Sequence, residues 1–304
     1  MRILRRLLLV FLVLLISAGT AFYLRPVELA RAWQTLRLRL AGTEVHQITV
    51  QGIGMNYEAL GPSDGMPLVL VHGLGGNAED WRNLAPYFVK AGYRVYMPDL
   101  PGYGRSGKPA NFSYSIADES AMVVGFMDAL GLKQVDLGGW SMGGWIVQTV
   151  ALNHPERINK LILFDSAGMK FKPDWDTALF TPQTPAQLDQ LDALLMPHPP
   201  AVPGFVARDV IRVSGKNAWV IHRALDSMLT GRDVTDGRLS TLKMKTLIVW
   251  DSDDRITPLL EGEQMHGLIS GSELFVVNGC GHLAPLLCSR QIGPRVAGFL
   301  DGAQ

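Results

Sequence analysis

Cysteine is scarce in this chain, which has two among 304 residues. Two thiols cannot hold a small disulfide-rich scaffold together, and they cannot supply a four-thiolate zinc site. An excess of charge of one sign is also lacking, because 28 basic residues balance 28 acidic ones. Nucleic-acid-binding domains are usually strongly basic, so we expect no nucleic-acid partner. Charged residues make up only 18% of the chain, which argues against disorder and against a coiled coil.

A long apolar run lies near the N-terminus. Residues 1–6 are basic, with three arginines, and residues 7–24 contain no charged side chain. A helix of this length spans roughly 27 Å, enough to cross the hydrocarbon core of a bilayer. We therefore predict a transmembrane anchor over residues 7–24. A cleaved signal peptide is the alternative, because small residues occupy positions 17–19 and 21, but the run continues past them to Leu24.

The anchor predicts a location as well. We place the N-terminus in the cytoplasm and the main domain in the periplasm, attached to a bacterial inner membrane, although arginines follow the run as well as precede it. A cleaved N-terminus would instead leave a secreted or periplasmic protein. Residues 25–43 read as an amphipathic linker helix, with Arg31, Arg37 and Arg39 between its apolar positions. This helix either lies on the membrane surface or packs on the main domain.

The rest of the chain alternates between apolar strands and helical patterns. Eight strands are predicted, at residues 45–50, 55–60, 68–71, 94–97, 134–137, 160–164, 246–250 and 274–277. Helical patterns cover residues 116–130, 142–153, 259–269 and 292–300. This alternation predicts a mostly parallel sheet with helices on both faces. We assign residues 44–168 and 242–304 to this core.

One segment interrupts the alternation after the sixth strand. Residues 169–241 contain no convincing strand, but helical patterns occur at 185–195, 203–213 and 218–229. A loop of this length is improbable, so we predict an inserted helical cap over the carboxyl ends of the strands, where ligands bind. The cap contributes many large apolar side chains, some of which we expect to line a pocket. They are Phe171, Trp175, Phe180, Leu194, Leu195, Met196, Phe205, Trp219 and Met228.

A nucleophile motif follows the fifth strand. Residues 139–143 read Gly-Trp-Ser-Met-Gly and open a helix, which is the strand–turn–helix context that a G-x-S-x-G elbow requires. A serine hydroxyl needs a base to take its proton and an acid to orient that base. The base is predicted to be His282, which follows the last strand. The acid is predicted to be Asp254, after the seventh strand, with Asp253 and Asp251 as alternatives.

A glycine-rich segment follows the third strand, where residues 72–76 read His-Gly-Leu-Gly-Gly. Glycines let the backbone turn so that an N–H faces a reacting carbonyl. We predict an oxyanion hole formed by the backbone N–H groups of Leu74 and Met142. His72 is expected to brace this loop. The segment is not a phosphate loop, because no Gly-Lys-Ser or Gly-Lys-Thr follows it.

These motifs together resemble the α/β-hydrolase-fold enzymes. The resemblance covers residues 45–304 and includes the loop at 72–76, the Asp99-to-Ser106 segment, the serine elbow, Asp254 and His282. Serine at the elbow separates the chain from dehalogenase and epoxide-hydrolase relatives, which carry aspartate there. The apolar N-terminus and the cap are similar to the membrane-anchored monoacylglycerol-lipase-like branch. Relatives commonly carry glycine at the position of Asp251, so the choice among the three aspartates stays open here.

The resemblance implies a carboxylic-ester hydrolase that forms an acyl-enzyme on Ser141. We expect monoacylglycerol-like or medium-chain esters as substrates, because an anchor would hold the site where such esters partition. Three alternatives remain: a carbon–carbon bond hydrolase of ring-cleavage diketones, a cofactor-free perhydrolase and a catalytically silent interaction module. Arg208, Arg212 and Arg223 are available to bind a dienoate, but the sequence assigns none of them that role.

The sequence predicts neither a cofactor nor a metal site. It contains no His-x-x-x-His pair and no cysteine pair at ligand spacing. Cys280 lies two residues before His282 and is expected to pack rather than react. Spacing alone does not decide whether Cys280 pairs with Cys288.

Overall fold

An eight-stranded sheet forms the centre of the protein in the computed structural model, which describes residues 2–170 and 172–302. Phe171, one of the predicted cap residues, lies outside the described residues. The strands are β1 (Glu44–Val50), β2 (Ile53–Leu60), β3 (Met66–Val71), β4 (Tyr93–Pro98), β5 (Val135–Trp140), β6 (Ile158–Phe164), β7 (Lys245–Asp251) and β8 (Glu273–Val277). All eight predicted strands are present.

The sheet is parallel except at one edge. Its order is β1-β2-β4-β3-β5-β6-β7-β8, and β2 pairs antiparallel with both β1 and β4. The turn between β1 and β2 consists of Gln51 and Gly52, both with positive φ. All pairings in the part of the sheet ordered β4-β3-β5-β6-β7-β8 are parallel. The carboxyl ends of these six strands therefore lie on the same side of the molecule. Their continuous apolar runs are buried because helices cover both faces.

Two hydrophobic clusters fill the space between the sheet and its helices. On one face lie α4 (Ile116–Ala129), α5 (Met142–Asn153) and α9 (Leu259–Leu268). On the other face lie α3 (Ala85–Lys90), the short α10 (Ala284–Leu287) and α11 (Ser289–Asp301). These layers form the predicted fold, with strand ends free to carry functional loops.

The helical segment between β6 and β7 contains α6 (Pro185–Leu195), α7 (Gly204–Gly215) and α8 (Ala218–Met228). No strand occurs in its described residues, 165–170 and 172–244. The sequence therefore predicts both the position and the helical character of this inserted segment. Apolar residues of α8, including Val220 and Ala224, are buried in the same cluster as α4 and α5, so the segment packs on the main domain.

Two helices precede the sheet. The first, α1 (Arg2–Leu24), has 23 residues and buries none of them, and its most apolar 18-residue stretch has a mean hydropathy of 2.5, so its length and composition would allow it to cross a membrane. The second is α2 (Pro26–Leu40). On α2 Thr35 donates to Glu79 of the main domain, and the N–H of Val27 donates to buried Asp209 of α7. Its apolar residues Leu29, Trp33, Leu36 and Leu40 are nevertheless exposed.

Candidate active site

Ser141 occupies the sharp turn between β5 and α5. Its backbone has φ 57° and ψ −120°, a conformation that is strained for a side chain with a Cβ atom. Close packing explains the neighbouring glycines: a Cβ at Gly139 would overlap the carbonyl oxygen of Gly143, and a Cβ at Gly143 would overlap that of Val71. The turn therefore projects the Ser141 hydroxyl beyond the carboxyl edge of the sheet.

The structure brings together the three side chains that the sequence selects. The Nε2 atom of His282 lies 2.8 Å from the Ser141 hydroxyl oxygen, and its Nδ1 atom lies 2.7 Å from Oδ2 of Asp254. His282 and Asp254 are buried, and the indole N–H of Trp140 donates to the His282 carbonyl oxygen at 2.9 Å. This chain of hydrogen bonds can transfer a proton from the hydroxyl to the ring while the carboxylate stabilises the charged ring.

The two other candidate acids have different contacts. Oδ2 of Asp253 accepts the N–H of Gly279, and the carboxylate of Asp251 accepts the N–H groups of Asp253 and Cys280. Through these hydrogen bonds, Asp251 and Asp253 link the loop that contains His282 to the loop that contains Asp254. Of the three acids, the structure places only Asp254 against the imidazole.

Asp254 is held by donors that sequence reasoning missed. Its Oδ1 accepts the N–H groups of Ile256 and Thr257, and its Oδ2 lies 2.8 Å from the Thr257 hydroxyl. The same hydroxyl is 3.4 Å from Nδ1 of His282. The sequence shows that Thr257 follows Asp254 by three residues. It does not show that the loop between them brings the hydroxyl to the carboxylate.

Two further acids lie close to Asp254. Asp165, at the end of β6, is fully buried, and burial followed by the charge of Asp254 raises its pKa well above the usual range. Glu261, on α9, has its pKa raised to about 8 by burial and then by Asp254. Glu261 is therefore largely protonated at neutral pH, which limits the negative charge around Asp254.

The predicted oxyanion donors lie beside the serine. Leu74 lines the same cavity as Ser141, and Met142 directly follows the serine at the start of α5. Within the described residues, neither backbone N–H donates to a protein acceptor. Gly73 packs against the serine, since a Cβ there would meet the Ser141 Cβ at 3.2 Å. Two N–H groups are therefore available close to the hydroxyl.

His72 joins two loops near this site. Its Nε2 accepts the N–H of Leu100 at 3.1 Å, so its Nδ1 carries the proton that is donated to the Gly73 carbonyl at 2.8 Å. The ring is fully buried and packs edge-on against Tyr103. These contacts fit the predicted bracing role.

A disulfide joins Cys280 to Cys288, a pairing that the spacing left open. It closes a short loop that contains His282 and the whole of α10. Asp251 lies close to both sulfur atoms. Sulfur atoms in a disulfide are not thiolates, so this group lacks the thiolate ligands that a metal site would use.

An apolar pocket opens on one side of Ser141. Its empty volume is about 670 Å³ including its opening to solvent. From the inserted segment it is lined by Trp175, Phe180, Met228 and other apolar residues, with Lys170 as its cationic neighbour. The predicted cap residues Leu194, Met196, Phe205 and Trp219 do not line it. Phe205 instead stacks on Tyr23 at the end of α1.

A wider cleft opens on the other side of Ser141 and His282. Its empty volume is about 1660 Å³ including its opening to solvent, and it runs between α2, the loop after β3 and the inserted segment. Its lining includes the charged residues Glu28, Arg31, Lys108 and Lys216. The two cavities therefore differ in polarity and meet at the serine.

The family is established by comparison with known proteins. Residues 66–219 match the family model described as the alpha/beta hydrolase fold. A 2-hydroxy-6-oxononadienedioate/2-hydroxy-6-oxononatrienedioate hydrolase from Escherichia coli is 33% identical over 244 residues, covering 71% of this chain and 81% of the relative. The chain therefore belongs to the α/β-hydrolase fold family, and it is a hydrolase by this membership.

Solved structures add two further similarities. A membrane phospholipase A, described as a bacterial virulence factor, superposes with a TM-score of 0.83 at 26% identity, covering 98% of this chain and 99% of that one. A meta-cleavage product hydrolase from Pseudomonas fluorescens superposes with a TM-score of 0.76 at 24% identity, covering 85% and 98%. The second similarity concerns the fold alone. The narrower likeness to monoacylglycerol lipases is not among these similarities.

Proposed function

We propose that the protein is a serine hydrolase that cleaves carboxylic esters of lipid-like substrates through an acyl-enzyme on Ser141. One observation carries the proposal: the serine hydroxyl, hydrogen-bonded to His282, faces an apolar pocket beside two backbone N–H groups without protein acceptors. An ester carbonyl placed there would meet a nucleophile, a base and an oxyanion hole at once.

The reaction follows from this geometry. As the Ser141 oxygen attacks the ester carbon, Nε2 of His282 takes its proton, and Asp254 stabilises the imidazolium. The N–H groups of Leu74 and Met142 donate to the oxyanion. When the intermediate collapses, His282 returns the proton to the departing alcohol and an acyl-serine remains. Water, deprotonated by the same ring, then releases the carboxylic acid and restores the hydroxyl.

Three features support a lipid-like ester. The pocket beside Ser141 is lined mainly by apolar side chains and suits an acyl chain. The apolar helix α1 would hold this pocket at a bilayer. The phospholipase A similarity covers nearly the whole of both chains, so it includes α1 and α2 as well as the hydrolase core.

We further propose that α1 is retained as a membrane anchor with the main domain in the periplasm. Phe22 and Tyr23 of α1 pack against Phe205 of α7, and Arg208 donates to the Tyr23 hydroxyl. Cleavage after the apolar run would remove these contacts. The disulfide between Cys280 and Cys288 fits an oxidising compartment such as the periplasm.

Hydrolysis of a carbon–carbon bond is the second candidate, because the curated relatives at 33% identity carry that activity in their names. Their substrates are dioates, which need cationic partners. The three arginines that the sequence offers for a dienoate bind other groups: Arg208 contacts Tyr23, Arg212 pairs with Asp209 and Glu28, and Arg223 donates to carbonyls of the loop before α4. None of the three lines the apolar pocket. Other cations do lie beside Ser141, with Lys170 at the pocket and Arg31 and Lys108 at the cleft, so we favour the ester because the pocket is mainly apolar and not because cations are lacking.

The deciding experiment compares both chemistries on the same preparation. Full-length protein should hydrolyse p-nitrophenyl esters and monoacylglycerols of graded chain length, and Ser141→Ala should lower the rate by at least about 10⁴-fold. Wild-type protein should not lower the absorbance of a ring-cleavage diketone faster than Ser141→Ala does. Ester turnover no higher than that of Ser141→Ala would overturn the proposal. A fluorophosphonate that fails to label Ser141 would favour a silent interaction module.

A further inference from the structure

The cleft on the outer side of Ser141 carries a pair of cations without carboxylate partners. Arg31 of α2 and Lys108 of the loop after β4 both line it, and within the described residues neither forms an ion pair. The other charges of the cleft are accounted for. Lys216 pairs with Glu28, which also binds Arg212, and half-buried Asp80 accepts the N–H of Asn77.

Lys108 is held in place by a neutral partner. Its ammonium group donates to the Asn217 side-chain oxygen at 2.9 Å, and the amide of Asn217 donates in turn to the carbonyl of Gly102. Partial burial lowers the pKa of Lys108; the charge of Asp99 opposes this change, and the smaller effect of Arg31 adds to it. Asp99 is itself saturated by N–H donors, from Asn56, Ala78 and Arg105. Arg31 and Lys108 thus line one cleft without an ion-pair partner among the described residues, so the cleft offers positive charge to an anionic group.

The position of this pair relates it to the substrate. An ester has an acyl side and an alcohol side, and two cavities of different polarity meet at Ser141. With the acyl chain in the apolar pocket, the alcohol side extends into the charged cleft. On the basis of the ester-hydrolase function proposed above, we propose that Arg31 and Lys108 form a subsite for a phosphate group on the alcohol portion of the substrate. The substrate class is then a glycerophospholipid or a lysophospholipid.

The test compares two substrates that share one acyl chain. Full-length protein in non-ionic detergent micelles is given a lysophosphatidylglycerol and the matching monoacylglycerol. Wild-type protein should prefer the phosphate-bearing substrate. Because a hydrogen bond to a charged group would be lost, Lys108→Met and Arg31→Gln should each lower the ratio of the two kcat/KM values about tenfold, mainly through KM. Lys108→Arg should restore most of the preference.

The matched control is Lys133→Met, which removes an exposed lysine at the opposite edge of the sheet and should keep the wild-type ratio. If wild-type protein cleaves both substrates and the Lys108 and Arg31 variants keep its ratio, the subsite is wrong while the ester hydrolase stands. If it cleaves neither substrate, both proposals fall.

A final arm separates a lipid phosphate from a free one. Inorganic phosphate should inhibit monoacylglycerol hydrolysis only weakly, since it lacks the acyl chain that places the phosphate in the cleft. Saturable inhibition at low phosphate concentration that Lys108→Met abolishes would assign the subsite to free phosphate and overturn the headgroup proposal.

Discussion

Single hydrogen bonds distinguish the three neighbouring aspartates. Asp254 contacts His282, whereas Asp251 and Asp253 contact backbone N–H groups of the adjoining loops. We expect Asp254→Asn to lower kcat by roughly 10³- to 10⁴-fold, because an amide neither fixes the tautomer nor stabilises the imidazolium. Asp253→Asn, the matched control, should retain most of the activity. Similar losses in both variants, measured as kcat on a soluble ester, would contradict this assignment.

Thr257 is expected to act by positioning Asp254. Its hydroxyl lies 2.8 Å from the Asp254 carboxylate, so Thr257→Val should lower kcat about tenfold through the lost hydrogen bond. Thr257→Ser keeps the hydroxyl and should retain nearly full activity. The pH profile of kcat/KM discriminates further: it should shift in the valine variant if the hydroxyl acts on the Asp254–His282 pair. A purely structural role would change thermal stability without moving the profile.

Residues at strand ends were the easiest part of the site to predict. Ser141, Asp254 and His282 each follow an apolar strand, and parallel strands bring such ends to one edge. The contacts of Asp165 could not be found in the same way. Its burial beside Asp254 depends on loops that close between β6, β7 and α9, and these contacts leave no local pattern.

At the scale of elements, α2 is tied to the sheet through a buried carboxyl group. Glu58 of β2 lies 3.7 Å from Arg105, which also binds Thr35 of α2. Burial, and after it the charge of Glu79, raises the pKa of Glu58 to about 7 from 4.5. The folded protein therefore binds this proton more tightly than the unfolded chain, and the stability it contributes is lost as pH rises from about 4.5 to 7.

Glu58→Gln should flatten this dependence. Between pH 5 and 8 the melting temperature of the wild-type protein should fall more than that of the variant, because glutamine has no proton to lose. Glu156→Gln, at an exposed position, should keep the wild-type slope. Equal slopes for wild-type protein and Glu58→Gln in thermal unfolding would refute the expectation.

Element positions followed from apolar runs, with errors at the ends of strands and in short helices. The fifth strand was predicted to end at residue 137, but β5 extends to Trp140. Gly138 and Gly139 lack the side chains that mark a strand, yet their backbones pair with β3 and β6. The helix α3 was missed because its six residues are too few for a helical period. Helices α5 and α6 were predicted with the observed bounds.

At the scale of the whole molecule, the two N-terminal helices have different roles. The helix α1 buries no residue, while α2 contacts both the sheet domain and α7. We predict that deletion of residues 1–24 releases the protein from membranes and keeps turnover of a soluble ester. Deletion of residues 1–41 should in addition lower the melting temperature, because it removes the partners of Glu79 and Asp209. Fractionation and thermal unfolding of both truncations test this difference.

The disulfide should stabilise the loop of His282. In the chain-entropy model, closing a loop this short contributes about 2–3 kcal/mol. Reduction, or Cys288→Ser, should therefore lower the melting temperature and the rate of ester hydrolysis together. An activity that is the same in oxidised and reduced protein would contradict this prediction.

That covalent link also bears on when the protein becomes able to act. In a newly made chain that is still in the reducing cytoplasm, both thiols would be free, and the loop that contains His282 would lack its disulfide. Export to the periplasm would fasten the loop by oxidation. If the proposed lipid-ester activity and periplasmic location hold, thiol oxidation after export would complete the site, and the enzyme would spare the inner leaflet during its own synthesis.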